Sequence, residues 1–412
     1  MRSPHVVYLS VFVPLTAVVF ALLGGFNLLV DPYGIFGTPV VKGFNDGKNG
    51  RGHISEPYWM IRDRFTDLVV GSSRVQGVSC EDMAGFLEDG AACKVAPVPH
   101  ANASWLIKEV YHSLAVSPVK RVYFGLDFFG FNMSHTPFQA SDDERLLGVP
   151  GKSDLTIIND LFRQLFSPAA TMLSIDTMAQ SARNAGKGEG GGLAPESRAE
   201  GAGNPAAHLE SLAARESLFL RFYPGILKYY SGYGYKLPGK NVTVLDELRA
   251  LLGYCRDKRV EVRFFINPFH SIMLDIFQEH GLMDRYIAWK DDLARIVDDA
   301  NAGLPRPLFH LWDFSGYNEI TTEPVLEQGT IRTRLAYYSD PFHYTRTTGR
   351  KVLEIMHKGP PPGGDFGIRL NGAASRMAEE LLEAQKRRYP DANRDYAAKL
   401  FNREETVGSA SR

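Results

Sequence analysis

The chain opens on an uninterrupted apolar stretch. From Val6 to Val30 no residue carries a charge. About 25 residues of helix reach roughly 37 Å, enough to cross a hydrocarbon core of about 30 Å with some tilt. A Gly- and Asn-rich passage follows, to about Gly52, and then the pattern changes. Short apolar runs now alternate with stretches in which apolar residues recur every three or four positions. The runs predict strands at Leu68–Val70, Lys94–Val98, Arg121–Phe129, Val260–Ile266 and Leu308–Trp312. The stretches between them predict helices at Glu81–Glu88, Ser104–Ala115, Thr243–Lys258, across Ser271–Ala300 and at Thr347–His357. Strands alternating with helices imply a mostly parallel sheet in a three-layer α/β/α fold, preceded by one transmembrane helix.

Breaks in this pattern divide the chain. Residues 1–30 form a tip and anchor, 31–66 a juxtamembrane collar, and 67–358 the α/β domain, with an insertion over about 132–240. Residues 359–412 hold a last amphipathic helix, around Ala374–Arg388, and a charged tail expected to fray from about Asn402. Within the insertion, polar Asn132–Gly151 suggests part of a lid. The Gly-, Ala- and Glu-rich Arg183–Ala207 has almost no apolar anchors and is expected to be disordered or a mobile loop.

The first apolar stretch has two readings. A cleaved signal peptide has a shorter core and a small-x-small site after it, whereas Asp31-Pro32-Tyr33-Gly34 follows here. The segment is therefore read as an uncleaved signal anchor. Arg2 and the amino terminus are the positive charges before it, which places the N-terminus in the cytoplasm. The expected location is the bacterial inner membrane, with the remaining domain on its far side, the periplasm in a Gram-negative cell. Tyr33 and Phe36 suit the headgroup level.

A formal net charge of -1, without a run of Lys and Arg, removes any electrostatic argument for nucleic acid. No Cys or His spacing resembles a zinc site, and neither a metal nor a cofactor is expected. Cys80 and Cys93 flank a short amphipathic segment. Either they pair in an oxidising compartment, leaving Cys255 free, or all three are small buried apolar residues.

Candidate chemistry starts at Asp67-Leu-Val-Val-Gly71-Ser72-Ser73-Arg74-Val-Gln-Gly77. An apolar strand ends abruptly in small residues and reopens as a polar segment. Such a turn delivers a hydroxyl to the top of a sheet, although Ser72 or Ser73 would serve equally as a helix N-cap. Far downstream stands Asp340-Pro341-Phe342-His343. In one helical turn the Asp340 and His343 side chains fall on one side. The carboxylate then orients the imidazole as a base toward Ser73 as nucleophile. Pro341 holds Asp340 extended.

Gly71-Ser72-Ser73-x-x-x-Gly77 resembles the first block of the SGNH (GDSL-like) hydrolase superfamily, with Ser72 where many members have Asp. Asp340-x-x-His343 resembles its last block, in the right order. With a membrane anchor, the chain looks like the branch that includes the D-alanyl transfer protein of teichoic acid modification and the alginate O-acetylation proteins. The resemblance implies a flavodoxin-like SGNH fold, with Ser73 as nucleophile, His343 as base and Asp340 as its orienting acid. It also implies an oxyanion hole made by the nucleophile's own N–H, a glycine and an asparagine. Here the second block reads His100-Ala-Asn102-Ala-Ser104, without glycine, and Asp127 stands at the asparagine's place. An ionised carboxylate opposes an oxyanion. Asn102 or Asn132 are the substitute donors, with Asn102 preferred, though it serves as readily to cap the following helix. Arg74 either balances Asp127, holds an anionic substrate or sits exposed at a helix start. Gly71, Asn267 and His270 complete the expected rim of the pocket, and turn capping explains Asn267 equally well. Trp312, Tyr317 and Tyr344 suit stacking on sugar rings or belong to the core.

These readings converge on an anchored serine O-acyltransferase or esterase acting on an exported polysaccharide. In the transferase version the acyl group, an acetyl, comes from a membrane-bound O-acyltransferase partner. The alternative is a non-catalytic SGNH-like module that binds glycan or scaffolds an envelope assembly.

Overall fold

The computed structural model describes residues 4–48, 52–134, 140–185, 230, 232–327, 330–331, 335–372, 378–389 and 393. Its helices are α1 (Pro4–Val30), α2 (Gly52–Arg62), α3 (Cys80–Met83), α4 (Ala103–Val116), α5 (Thr156–Phe166), α6 (Pro168–Ala185), α7 (Val244–Lys258), α8 (Ile272–Glu279), α9 (Met283–Asn301), α10 (Arg346–Lys358) and α11 (Ala378–Arg388). Its strands are β1 (Asp67–Gly71), β2 (Cys93–Pro97), β3 (Arg121–Leu126), β4 (Glu261–Ile266), β5 (Phe309–Asp313), β6 (Leu326–Glu327), β7 (Thr330–Ile331) and β8 (Ile368–Arg369). They fall into two compact units.

The larger unit, Arg64–Phe138 with Asn204–Arg412, is built on a six-stranded sheet in the order β2-β1-β3-β4-β5-β8. All neighbours pair in parallel except β8, which runs antiparallel along β5. The central strands read as near-continuous apolar runs because both of their faces are covered. Alternate residues divide between the faces. Val69, Tyr123, Phe265 and Trp312 share one cluster with Val352, Leu353 and Met356 of α10. Helix α7 contacts both α4 and α9, and α4, α7 and α9 meet β1, β4 and β5 respectively. Strand β3 ends at Leu126, short of the expected Phe129, because a 3-10 turn over Phe128–Phe131 takes over. Helix α7 starts at a full capping box, with Thr243 and Asp246 exchanging hydrogen bonds, and ends at Arg259 in the left-handed region (φ 56°). Cys80 and Cys93 are disulfide-bonded, tying α3 to the start of β2. Cys255 is buried in α7, and burial pushes its thiol up to about 12.

The smaller unit, Met1–Asp63 with Gln139–Gly203, joins the apolar N-terminal helix to part of the insertion. Helix α1 contains one stretch, Tyr8–Val30, long and apolar enough to cross a membrane. Both α5 and α6 pack on it, and α5 packs on α6. The expected insertion thus supplies α5 and α6 to the unit that holds α1. Past α1 the chain turns at Asp31 in the left-handed region (φ 49°). The buried Asp31 carboxylate accepts the Phe36 N–H (3.1 Å), the Thr38 N–H (3.2 Å) and Lys48 Nζ (3.4 Å), which closes the collar into a turn. The expected loose loop at Arg183–Ala207 lies outside the described residues beyond Ala185, as does the tail from Asn402.

Candidate active site

Parallel pairing lines up the carboxyl ends of β1, β3 and β4, and the residues that follow them meet at one edge. After Gly71 the chain enters a 3-10 turn, Ser73–Gly77, capped by Ser72, whose hydroxyl accepts the Arg74 N–H. A side chain on Gly71 would strike Val75, so the glycine makes room for the turn to fold back on its strand. Ser73 is left half-buried at the edge.

Its hydroxyl lies 2.8 Å from His343 Nε2, across 270 residues of sequence. His343 Nδ1 lies 2.7 Å from Asp340 Oδ2. The carboxylate holds the ring proton on Nδ1, so Nε2 is free to accept the Ser73 proton. Burial, the largest single influence, raises the Asp340 carboxyl, while the hydrogen bond from the His343 ring and the electrostatic interaction with it act the other way. With the N–H groups of Phe342 and His343 added, the carboxyl settles below the usual range and stays ionised. His343 is 34% exposed at its side chain, open to an incoming molecule.

The Asp-x-x-His pair does not form a helical turn, as its spacing suggested. Asp340 Oδ1 accepts the Phe342 and His343 N–H groups, an Asx-turn favoured by Pro341. The Ser339 N–H donates to the His343 carbonyl, and Tyr338 pairs with Tyr344, closing the loop at its base. Helix α10 begins only at Arg346. It carries the loop against the serine's own turn. Gly349 of α10 meets the Gly77 carbonyl backbone to backbone, where any side chain would collide. Arg346 and Arg350 bind Asp82 of α3, at 2.7 and 2.8 Å.

Beneath the triad runs a buried polar chain that the sequence did not reveal as a unit. Ser72 donates to Asp127 Oδ2 (2.5 Å), Asn267 Nδ2 donates to Asp127 Oδ1 (3.1 Å), and Tyr344 donates to Asn267 Oδ1 (3.0 Å). It joins the neighbour of Ser73 to the neighbour of His343. Burial first, and then the Asp127 charge, push the Tyr344 phenol up, so it remains a neutral donor. Arg74 completes the set. Its guanidinium is 2.7 Å from Asp127 and lies 5.0 Å from the centres of both the Phe129 and Phe342 rings. At 5% exposure it is neither an exposed helix-start arginine nor an anion site on the surface. It balances Asp127, whose oxygens are engaged by Ser72, Arg74 and Asn267.

No family model, curated protein or solved structure matches this chain.

The other expected rim residues lie deeper. Asn102 caps α4, its side-chain oxygen accepting the Trp105 N–H at 2.8 Å. The Asn132 side-chain oxygen accepts the Ser134 and Gly234 N–H groups, so it pins a loop. His270 is fully buried. Its Nε2 donates to the Glu323 carbonyl (2.8 Å), and Nδ1 accepts the Ile272 N–H (3.3 Å). Burial lowers it to about 4, so it is a neutral structural histidine with both ring nitrogens occupied. Asn267 serves the buried chain rather than a pocket. Trp312, Tyr317 and Tyr344 are buried and offer no stacking face for a sugar. The sequence signal for the polar chain was present but diffuse: Asp127 and Asn267 each directly follow the carboxyl end of a parallel strand.

Proposed function

We propose that this chain is a membrane-anchored, extracytoplasmic serine acyltransferase or esterase of the SGNH type, acting on an exported or cell-surface polysaccharide. The observation that carries this reading is the Ser73–His343–Asp340 alignment, two hydrogen bonds in series from residues distant in sequence. The strand order supports it. The run β2-β1-β3-β4-β5 is that of flavodoxin-like doubly wound sheets, whose ligands bind where the order reverses beside β1 and β3. Ser73 follows β1 and Asp127 follows β3. The disulfide suits an oxidising compartment beyond the membrane.

The chemistry follows from the geometry. Ser73 Oγ attacks the carbonyl carbon of an acyl donor as its proton passes to His343 Nε2. The tetrahedral adduct collapses, the donor's leaving group departs with that proton, and the acyl group remains on Ser73 as an ester. A sugar hydroxyl, or water in the esterase case, gives its proton to His343 and attacks the ester. Ser73 recovers its proton, and the acylated sugar or free acid leaves. A membrane-bound O-acyltransferase is the donor partner this scheme favours, since tethering beside a donor raises effective concentration.

Incubation with an activated acetyl ester tests the reading. The wild-type chain should release the alcohol and carry an acetyl group on Ser73 in peptide mass spectra. Ser73→Ala should lose at least about 10³-fold in rate with its melting temperature unchanged. If wild type and Ser73→Ala are equally slow and neither is acylated, the fold is a glycan-binding or scaffold module instead. That second reading draws on Asp127, which stands where the resemblance calls for an asparagine donor.

A further inference from the structure

Helices α5 and α6 are built inside out. A helix on a water-soluble protein buries its apolar stripe and exposes its charges. In α5 the buried residue is Asp160. Its carboxylate accepts the Tyr58 hydroxyl (2.7 Å) and the Arg145 guanidinium (3.1 and 3.2 Å). Large apolar residues point outward, next to the polar Asn159 and Arg163: Leu155 just before the helix is 72% exposed, Ile158 59% and Phe162 55%. Helix α6 likewise buries Ala170, Ser174, Thr177 and Ser181 while exposing Met172 and Ile175, with Asp176, Gln180 and Arg183 exposed beside and beyond them. Small and hydroxylated residues on the packed side are what helices use when hydrocarbon surrounds them.

The place where these helices dock fixes their depth. The α5–α6 corner sits on the outer part of α1. Phe166 fills the space beside Gly24, where a side chain would collide, and its ring is 5.4 Å from that of Phe20. Asn27, fully buried, donates to the Leu165 carbonyl (2.7 Å) and Thr171 Oγ1 (3.0 Å), and accepts the Ser174 hydroxyl (2.8 Å). Both polar residues, Asn27 and Asp160, are thus satisfied from within, as a medium without water requires. Asn27 and Phe20 lie roughly 5 and 15 Å along the axis from the end of α1 at Val30. Against a hydrocarbon core of about 30 Å, the corner docks within the outer half of the span. The rings of Phe20, Phe166 and Phe162 continue from one helix to the other at 5.4 and 4.7 Å, so the exposed face of α5 extends that of α1.

We propose that the α5–α6 hairpin is a second membrane contact, with Leu155, Ile158, Phe162, Met172 and Ile175 seated among the acyl chains of the outer leaflet beside α1. This rests on α1 being a membrane anchor. The occupant is lipid, because the face runs on from a helix that itself exposes apolar residues all round.

Fluorophore quenching in the full-length chain tests it. An environment-sensitive label goes singly on Ile158→Cys, Phe162→Cys, Val19→Cys in α1, or Asp284→Cys on the exposed start of α9. The native cysteines are paired or buried. Each labelled chain is reconstituted into phosphatidylcholine vesicles carrying nitroxides both near the top and near the middle of the acyl chains. Labels at positions 158 and 162 should lose as much emission as the label at 19, while the label at 284 keeps its own. Quenching at 19 alone overturns the hairpin proposal and leaves the anchor standing. No quenching at 19 overturns both. The two substituted positions are exposed, so the labels leave the packed side of α5 intact.

Discussion

Ser72 and Ser73 are adjacent, at the same turn, and the fold uses them in opposite ways. Ser73 keeps an exposed flank and hands its hydroxyl to His343. Ser72 is 1% exposed and gives its hydroxyl to Asp127. The same division separates His343, half-buried and oriented by a carboxylate, from His270, sealed in the core with both nitrogens committed. One layer of polar groups keeps an exposed flank at Ser73 and His343. The layer beneath it is closed on itself and holds the first in register. Identical side chains become reactive or structural according to which layer the backbone assigns them.

Substitutions in the two layers should therefore fail differently. The largest effect belongs to the outer layer. His343→Gln should cut acyl-ester turnover by about 10⁴-fold or more, with a melting curve matching wild type. A parallel fall in stability would show that His343 belongs to the lower layer after all. In that lower layer, Arg74→Met leaves the Asp127 charge buried without its cation and should cost about 3–5 kcal/mol in urea unfolding. Restoring most of that loss with the double change Arg74→Met and Asp127→Asn would pin the cost on the orphaned charge.

His270 should reveal itself through pH. Burial lowers it to about 4 in the fold, while the unfolded chain takes up that proton near the ordinary value of 6.5. Between those values the unfolded state binds more protons, so stability falls as pH drops from about 6.5 to about 4 and this contribution levels off below. The loss amounts to roughly 3 kcal/mol. Denaturation midpoints at pH 7 and pH 4.5 should differ less in His270→Gln than in wild type, and an unchanged difference would contradict the buried assignment. Ser72→Ala is the smallest change. It withdraws one of several donors from Asp127, should cost about 1–3 kcal/mol, and should leave turnover at low temperature within a few-fold of wild type.

Much of this arrangement is legible in the amino-acid sequence itself. The apolar runs around Val69, Tyr123 and Phe264 mark the central strands because a strand covered on both faces has nowhere to place a polar residue. The abrupt stop at Gly71-Ser72-Ser73 and the Asp-x-x-His spacing point to the triad. What stays hidden depends on partners distant in sequence. Arg74 reads as exposed, as arginines usually are, until Asp127 and the rings of Phe129 and Phe342 converge on it. Asn102 and Asn132 read as side chains at the rim, yet bonds from backbone N–H groups to their oxygens fix the one as the cap of α4 and the other within a loop. Helices α5 and α6 read as an insertion into the α/β domain because periodicity tells which face of a helix is apolar, but not what that face packs against.

The contact of Gly349 with Gly77 has a consequence for how such a chain can change. Ser73 and His343 are registered where two backbones touch, close to each of them, and through Asp127 and Asn267 beneath. Surface loops added between the strands, clear of those two residues, leave both side chains where they are. The exposed connections between Ser73 and His343 are thus open to renovation while the sheet and its buried polar chain keep the spacing at either end.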